Sequence, residues 1–145
     1  MIFDMDNSLG FILNKTALLS KANFNGRLKA YGISPEQWSL LFRVVEKSGL
    51  TQKELSDSTY KDQANITRSI DRLIQKGLMK RVPNAQDRRS FNLFPTEEAA
   101  VLVDKVIPLS KAHNEHLTEG LTTKEAEMLK ALLKKVYQNL EKETE

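Results

Sequence analysis

The sequence predicts a mainly α-helical fold with one small β-hairpin, and three observations support this. Helix-capping groups of the form S/T-x-x-E/Q begin at Ser34, Thr51 and Thr122. Apolar residues recur at helical spacing in most of the remaining chain. One stretch departs from that spacing, because two short apolar runs, Leu78–Val82 and Ser90–Phe94, flank a polar, basic loop. That arrangement is typical of a hairpin.

The composition is that of a globular protein. The chain has 145 residues, of which 40% are hydrophobic and 28% charged, so we expect residues 1–145 to form a single domain with an apolar core. No apolar run approaches the roughly 18 residues of a membrane-spanning helix. Asp4 and Asp6 stand where a signal peptide carries Lys or Arg, and there is no cysteine for disulfides or thiol chemistry. We therefore expect a cytoplasmic protein.

Positive charge is concentrated in the middle third of the chain. The stretch Thr51–Pro95 holds nine Lys or Arg and five Asp or Glu, a net charge of +4, whereas the whole chain carries only +3. A local basic patch is expected of a protein that binds a polyanion such as DNA. By itself the patch is equally compatible with an ordinary solvated surface.

Helix-capping residues and helix-ending glycines divide the chain into six predicted helices. The first is expected over about residues 7–30 and is closed by Gly32 with a positive φ. The second follows Ser34 and stops at Gly49, and a short third helix follows Thr51. The fourth covers about residues 62–76, the fifth about residues 96–118 with Thr96 as its N-cap, and the sixth begins after Thr122.

The order helix–helix–helix–hairpin across about residues 34–95 predicts a winged helix-turn-helix. In the sixth helix, apolar residues alternate in steps of three and four, which favours packing against another helix. These residues are Ala126, Leu129, Leu133, Val136 and Leu140, with Met128 and Leu132 beside them.

The fourth helix has the composition of a DNA-reading element. Its apolar side carries Ile66, Ile70, Leu73 and Ile74, and its polar side carries Gln63, Asn65, Thr67, Arg68 and Arg72. Asn and Gln can pair with adenine, and Arg with guanine or phosphate. Because recognition helices read bases near their N-terminus, Gln63 and Asn65 suit base contacts, whereas Arg72 suits backbone or core-supporting contacts. The alternative interpretation is a solvated helix face.

The hairpin tip adds to this prediction. Arg88 and Arg89 stand at the end of a thin ribbon that could enter a narrow minor groove, where the negative potential is high. We expect Asp87 to orient one of these arginines through a charge-assisted hydrogen bond. A solvated turn is the alternative, but a basic hairpin following a polar helix favours DNA binding.

These residues together resemble the MarR family of transcriptional regulators. The resemblance rests on the string T-R-x-x-D-x-L-x-x-x-G-L from Thr67 to Leu78, on Arg81, on D-R-R at positions 87–89 and on Thr96, and it extends over nearly the whole chain. It implies a homodimer joined through the first, fifth and sixth helices, within residues 1–33 and 96–145. It also implies a fourth helix in the major groove and Arg89 in the minor groove.

The function implied by the resemblance is that of a regulator, with repression favoured, on a palindromic operator of double-stranded DNA. Pro95 and Ala99 depart from the family, which usually has Leu and Gly there. Both departures concern the corner after the predicted hairpin of residues 78–94, which forms the wing. They therefore affect the angle of the wing. The alternative function is a winged-helix protein-interaction module without specific DNA binding.

Other kinds of site have weaker support in the sequence. Two histidines, no cysteine and no glycine-rich phosphate loop do not suggest an enzyme, and we expect no cofactor. His113 and His116, with Glu115 and Glu119, are spaced for a metal, but no third convergent ligand accompanies them, so we expect no metal site.

The family resemblance also suggests a small aromatic effector. It could bind in a cleft between the DNA-binding lobe and the dimerisation helices, lined by Trp38, Phe42, Phe11, Phe24 and Tyr31. For each of these residues, a place in the core is the alternative.

Overall fold

The computed structural model describes the backbone of residues 2–144 and the side chains of residues 2–142. The predicted class is confirmed, since the described residues form six α-helices and three short strands. The helices are α1 (Leu9–Leu28), α2 (Pro35–Glu46), α3 (Gln52–Asp57), α4 (Gln63–Gln75), α5 (Glu97–Leu117) and α6 (Thr123–Thr144). The strands are β1 (Leu50–Thr51), β2 (Met79–Pro83) and β3 (Phe91–Pro95).

All three predicted capping boxes are present. Ser34 and Gln37 exchange hydrogen bonds of 3.2 Å in each direction at the start of α2. Thr51 and Glu54 do the same at 3.1 Å before α3, and an equivalent pair from Thr122 opens α6. The hydrogen bond from the backbone N–H of Thr51 holds the pKa of Glu54 below its usual value.

Two helix ends differ from the prediction. The first helix leaves α geometry after Leu28 and continues as a 3-10 turn, Lys29–Tyr31, which Gly32 closes with a φ of 69° as predicted. The prediction that the second helix runs to Gly49 is wrong, because α2 ends at Glu46. The amide of Gly49 donates a hydrogen bond of 2.8 Å to the carbonyl of Leu93, so this segment already belongs to the sheet.

The predicted hairpin is part of a three-stranded antiparallel sheet in the order β1-β3-β2. Its two strands begin one residue later than predicted, and Arg81 of β2 pairs with Leu93 of β3. The additional strand β1 pairs Leu50 with Leu93. Two residues are too few to produce an alternating sequence pattern, which is why β1 was not predicted.

The corner between β3 and α5 is closely packed. The hydroxyl of Thr96 donates to the carbonyl of Gly77 at 2.8 Å and accepts from the amide of Ala99 at 3.2 Å. Thr96 is therefore the predicted N-cap of α5. Ala99 is fully buried, and Pro95 occupies the last position of β3, where it pairs with Met79.

Residue contacts divide the chain into one compact unit that ends at Lys111 and a second that begins at Ala112. The apolar core lies in the first unit, where α2, α4 and the sheet contribute completely buried side chains such as Leu41, Ile70 and Leu93. Burying one such side chain contributes about 1.5–3 kcal/mol, so the core fixes which face of α4 remains exposed.

Candidate nucleic-acid interface

The recognition helix candidate, α4, is sharply two-sided. Ile66, Ile70 and Leu73 are buried in the core. The polar side of α4 carries five residues that are predicted to contact DNA. Thr67 is half-buried, and the other four are exposed, namely Gln63, Asn65, Arg68 and Arg72. These four side chains are therefore exposed to solvent on the side of α4 that faces away from the core, and their contact with DNA remains a prediction.

Hydrogen bonds link three exposed side chains at the start of α4. The carboxylate of Asp62 caps the helix by accepting from the amide of Asn65 at 3.3 Å, and it also accepts from Nδ2 of Asn65. The Oδ1 atom of Asn65 in turn accepts from the guanidinium of Arg68. Asn65 thus orients Arg68 in the free protein, which lowers the entropy that Arg68 loses on binding a base or a phosphate.

Thr67 connects α4 to the preceding helix. Its hydroxyl donates to the carbonyl of Gln63 at 2.8 Å and accepts from Nε2 of Gln52 at 2.7 Å. Gln52 is the first residue of α3 and was not among the predicted site residues. Its position directly after the capping residue Thr51 is the one signal in the sequence that could have suggested it.

The tip of the wing presents two exposed arginines, Arg88 and Arg89. The side chain of Arg89 is 95% exposed. Asp87 accepts a hydrogen bond of 3.0 Å from the backbone amide of Arg89, while its carboxylate is 3.8 Å from the Nε atom of that residue. In the free protein, Asp87 therefore fixes the backbone of Arg89 and forms a loose ion pair with its guanidinium, most of which remains exposed to solvent.

The wing and the recognition helix are joined by an ion pair. The Nη2 atom of Arg81 on β2 lies 2.8 Å from Oδ1 of Asp71 on α4. The guanidinium carbon of Arg81 also lies 5.9 Å from the centre of the Phe91 ring on β3. Both Arg81 and Asp71 are among the residues on which the resemblance to the MarR family rests. No contact between them was predicted, because sequence spacing alone does not place β2 beside α4.

Known proteins match this chain over almost its whole length. The family model described as the MarR family matches residues 33–91. The chain is 30% identical, over 146 residues, to an uncharacterized HTH-type transcriptional regulator, YybA of Bacillus subtilis, and the match covers 98% of this chain and 92% of that protein. The chain belongs to the MarR family.

Solved structures of MarR proteins share the fold. A mutant MarR from E. coli, complexed with operator DNA, has a TM-score of 0.84 and 27% identity, covering 94% of this chain and 98% of its own. BpsR of Bordetella bronchiseptica, whose DNA binding is described as regulated by 6-hydroxynicotinic acid, has a TM-score of 0.89 and covers 94% and 98%. Its identity of 20% supports the fold alone. As a MarR-family member, the chain is a DNA-binding transcriptional regulator.

This MarR-family chain also contains an aromatic cavity of about 440 Å³ within its first unit. Trp38 and Phe42, with ring centres 5.5 Å apart, form one wall, and Tyr60 contributes a hydroxyl that lies 2.7 Å from Oγ of Ser39. Two cationic residues, Arg43 and Lys111, also line it. The Nε atom of Arg43 is buried and makes no hydrogen bond within the described part of the chain.

The prediction of one cleft lined by five aromatic residues is wrong. Of these five residues, only Trp38 and Phe42 line the cavity described above. Phe24 belongs to the core, Tyr31 lines a different cavity of about 720 Å³, and the ring of Phe11 is exposed beneath the ammonium of Lys15. The five residues come from α1, from the 3-10 turn that follows it and from α2, and sequence distance does not reveal which of them share a surface.

The two histidines of the second unit differ in their surroundings. His113 is buried, whereas His116 is exposed and pairs with Glu119 at 3.2 Å. Among the described residues, no group of three or more His, Cys, Asp or Glu side chains is placed to hold a metal ion. Nor does any helix within residues 2–144 combine the length and apolar character needed to cross a membrane.

Proposed function

We propose that the protein is a homodimeric repressor that binds a palindromic operator, with α4 in the major groove and the wing in the minor groove of each half-site. The observation that carries this proposal is the placement of oriented and exposed cations on two linked elements. Arg68 is held by Asn65 on α4, Arg89 is exposed at the wing tip, and the Asp71–Arg81 ion pair joins the two elements.

The proposed contacts follow from these positions. Gln63, Asn65 and Arg68 lie within the first turns of α4 and contact base edges, while Arg72, Arg88 and Arg89 contact phosphates or the minor groove. Thr67 supports α4 from its half-buried position, and Asp87 holds the backbone of the wing. Residues 1–145 act as one functional domain in the cytoplasm.

Exposed apolar residues on α6 support the dimer. Leu129 and Leu133 are each 43% exposed, and Met128, Leu132 and Leu140 are more exposed still. Apolar surfaces of this kind mark interaction sites, and a second copy of the same helix provides a matching partner. Sedimentation at micromolar concentration should report twice 16.5 kDa. A strict monomer under these conditions would contradict the dimer and the palindromic operator.

Selection of bound sequences from a random pool of duplex DNA tests the proposal as a whole. We expect a palindromic consensus whose half-sites lie about one helical turn apart, because paired recognition helices require that spacing. An Arg68→Ala/Arg89→Ala double variant, selected in parallel, should enrich no such consensus. If the wild-type protein also enriches none, the interaction-module function is favoured instead.

The aromatic cavity supports release of DNA by a small aromatic acid. Its walls offer stacking to a ring, and Lys111 offers a cation to a carboxylate. The Nη atoms of Arg43 already bond to Glu46 and to the carbonyl of Ser58, so Arg43 offers its Nε–H to the carboxylate. Trp38 is the only tryptophan of the chain, so its fluorescence reports directly on this cavity.

Titration with hydroxylated aromatic carboxylates tests this part of the proposal. We expect the acids to quench Trp38 and to release the selected operator, and we expect Arg43→Met to weaken both effects together. Quenching without any loss of operator binding would contradict an effector role for the cavity.

A further inference from the structure

The C-cap of the recognition helix, Lys76, reaches back to the start of α2. Its ammonium donates hydrogen bonds to the backbone carbonyl of Gly32 and, at 3.0 Å, to Oε1 of Gln37. Gly32 closes the turn after α1 in a left-handed conformation. One side chain therefore ties the end of α4 to the junction between α1 and α2.

The acceptor in this arrangement is itself firmly held. Gln37 is buried, with 5% of its surface exposed, and its Oε1 atom also accepts from the backbone amide of Ser34 at 3.2 Å. This single oxygen thus closes the capping box of α2 and receives the ammonium of Lys76. Replacing Lys76 consequently alters the hydrogen bonding at the position where α2 begins.

A phosphate contact is the obvious alternative role for a lysine in this region. Two of the three ammonium protons of Lys76 are already donated within the protein. Lys76 also lies at the opposite end of α4 from Gln63, about 20 Å away along the helix at 1.5 Å per residue. The residues near Gln63, rather than Lys76, are those placed to read bases.

We propose that Lys76 is a positioning residue that fixes the recognition helix relative to the α1–α2 junction. The inference rests on the proposed function, in which α1 belongs to the dimer and α4 reads DNA. Because each α4 is tied to the junction that follows α1, Lys76 limits the distances that the two recognition helices can adopt. It therefore sets how strictly the protein selects the spacing between half-sites.

Lys76→Met tests this role, since it removes the donors and keeps the length of the side chain. The probes are the selected operator and two versions with one base pair added or removed between the half-sites. We expect Lys76→Met to bind the selected operator roughly three- to tenfold more weakly, as expected for the net contribution of a typical hydrogen bond. We also expect it to discriminate less against the altered spacings, with the salt dependence of binding unchanged.

Three further variants separate positioning from charge and from folding. Gln37→Met removes the acceptor without changing any charge and should reproduce the loss of spacing preference, whereas Gln37→Glu keeps an acceptor and should retain the preference. Lys80→Met removes an exposed charge from β2 and should lower the salt dependence while leaving the spacing preference intact. Helical circular dichroism and the thermal midpoint confirm that each variant is folded.

The outcomes are distinct. If Lys76→Met and Gln37→Met both keep the wild-type discrimination between spacings, the inference is overturned. A drop in salt dependence for Lys76→Met equal to that of Lys80→Met identifies a phosphate contact and also overturns it. If the wild-type protein binds no operator with two half-sites, the proposed function itself fails, and this inference fails with it.

Discussion

The Nε2 atom of Gln52 lies 2.7 Å from the hydroxyl oxygen of Thr67 and joins the first residue of α3 to the middle of α4. The same hydroxyl donates its proton to the carbonyl of Gln63 at 2.8 Å. A hydroxyl has one proton and two lone pairs, so only one lone pair of Thr67 remains for any contact with DNA. Its main contribution is to hold the two helices of the helix-turn-helix together.

Thr67→Val should destabilise the protein, because it leaves Nε2 of Gln52 without its partner in a half-buried position. We expect the free energy of unfolding to fall by about 1 kcal/mol, measured by urea denaturation at a fixed protein concentration. Thr67→Ser retains the hydroxyl and should remain close to wild type. Equal stability of the Val variant and the wild type would show that the link between α3 and α4 contributes nothing.

The Asp71–Arg81 pair should couple the wing to the recognition helix during DNA binding. Asp71→Ala and Arg81→Ala should each weaken operator binding, and the double variant should lose less than the sum of the two. The side chain of Asp71 is 51% exposed and that of Arg81 is 32% exposed. Because solvent screens the pair, the coupling free energy should not exceed about 1 kcal/mol. A double-mutant cycle of operator affinities measures it, and strictly additive losses would mean that the two elements act independently.

The capping box of α3 should make stability depend on pH. The pKa of Glu54 is lowered in the folded protein, so its contribution is complete above the pKa of the unfolded chain and is lost as the pH falls through the folded value. Glu54→Gln keeps an acceptor but does not titrate. On acidification from pH 6 to below the usual pKa of 4.5, the wild-type thermal midpoint should therefore fall further than that of Glu54→Gln. Parallel curves for the two proteins would contradict this prediction.

Arg89→Ala should weaken operator binding through the wing. The side chain is 95% exposed, with its Nε atom 3.8 Å from the carboxylate of Asp87, so the variant should fold normally and lose mainly its contact with DNA. We expect the largest losses on operators whose flanks have a narrow minor groove, where arginine binds most strongly. Lys47→Ala removes the same charge from an exposed position outside the wing and serves as the control. Unchanged affinity of Arg89→Ala would show that the wing tip does not contact the operator.

Local signals in the sequence predicted the helices well. Each capping box combines a hydroxyl with a carboxylate or amide three residues later, and these contacts form wherever the pattern occurs, as at Thr122 and Glu125. The apolar spacing of Ile66, Ile70 and Leu73 likewise predicted which side of α4 is buried. Both signals depend only on neighbours within one or two turns of the chain.

Contacts between distant segments could not be predicted in the same way. Lys76 and Gly32 are 44 residues apart, and Arg81 meets Asp71 only because β2 folds back beside α4. The prediction of a single aromatic cleft was wrong for the same reason. Phe24 and Tyr31 look equivalent in sequence, but Phe24 lies in the core and Tyr31 lines a separate cavity. Tertiary packing decides such positions.

Binding to a panel of single-base operator variants at fixed salt shows whether α4 reads the operator. Arg68→Ala and Asn65→Ala should lose about 1–3 kcal/mol of discrimination at one or two positions of each half-site. Because Asn65 holds Arg68, Asn65→Ala should also relax the position that Arg68 reads. Lys80→Ala should weaken binding evenly across the panel. If Arg68→Ala and Asn65→Ala both retain the wild-type preference profile, α4 does not read the bases of the operator.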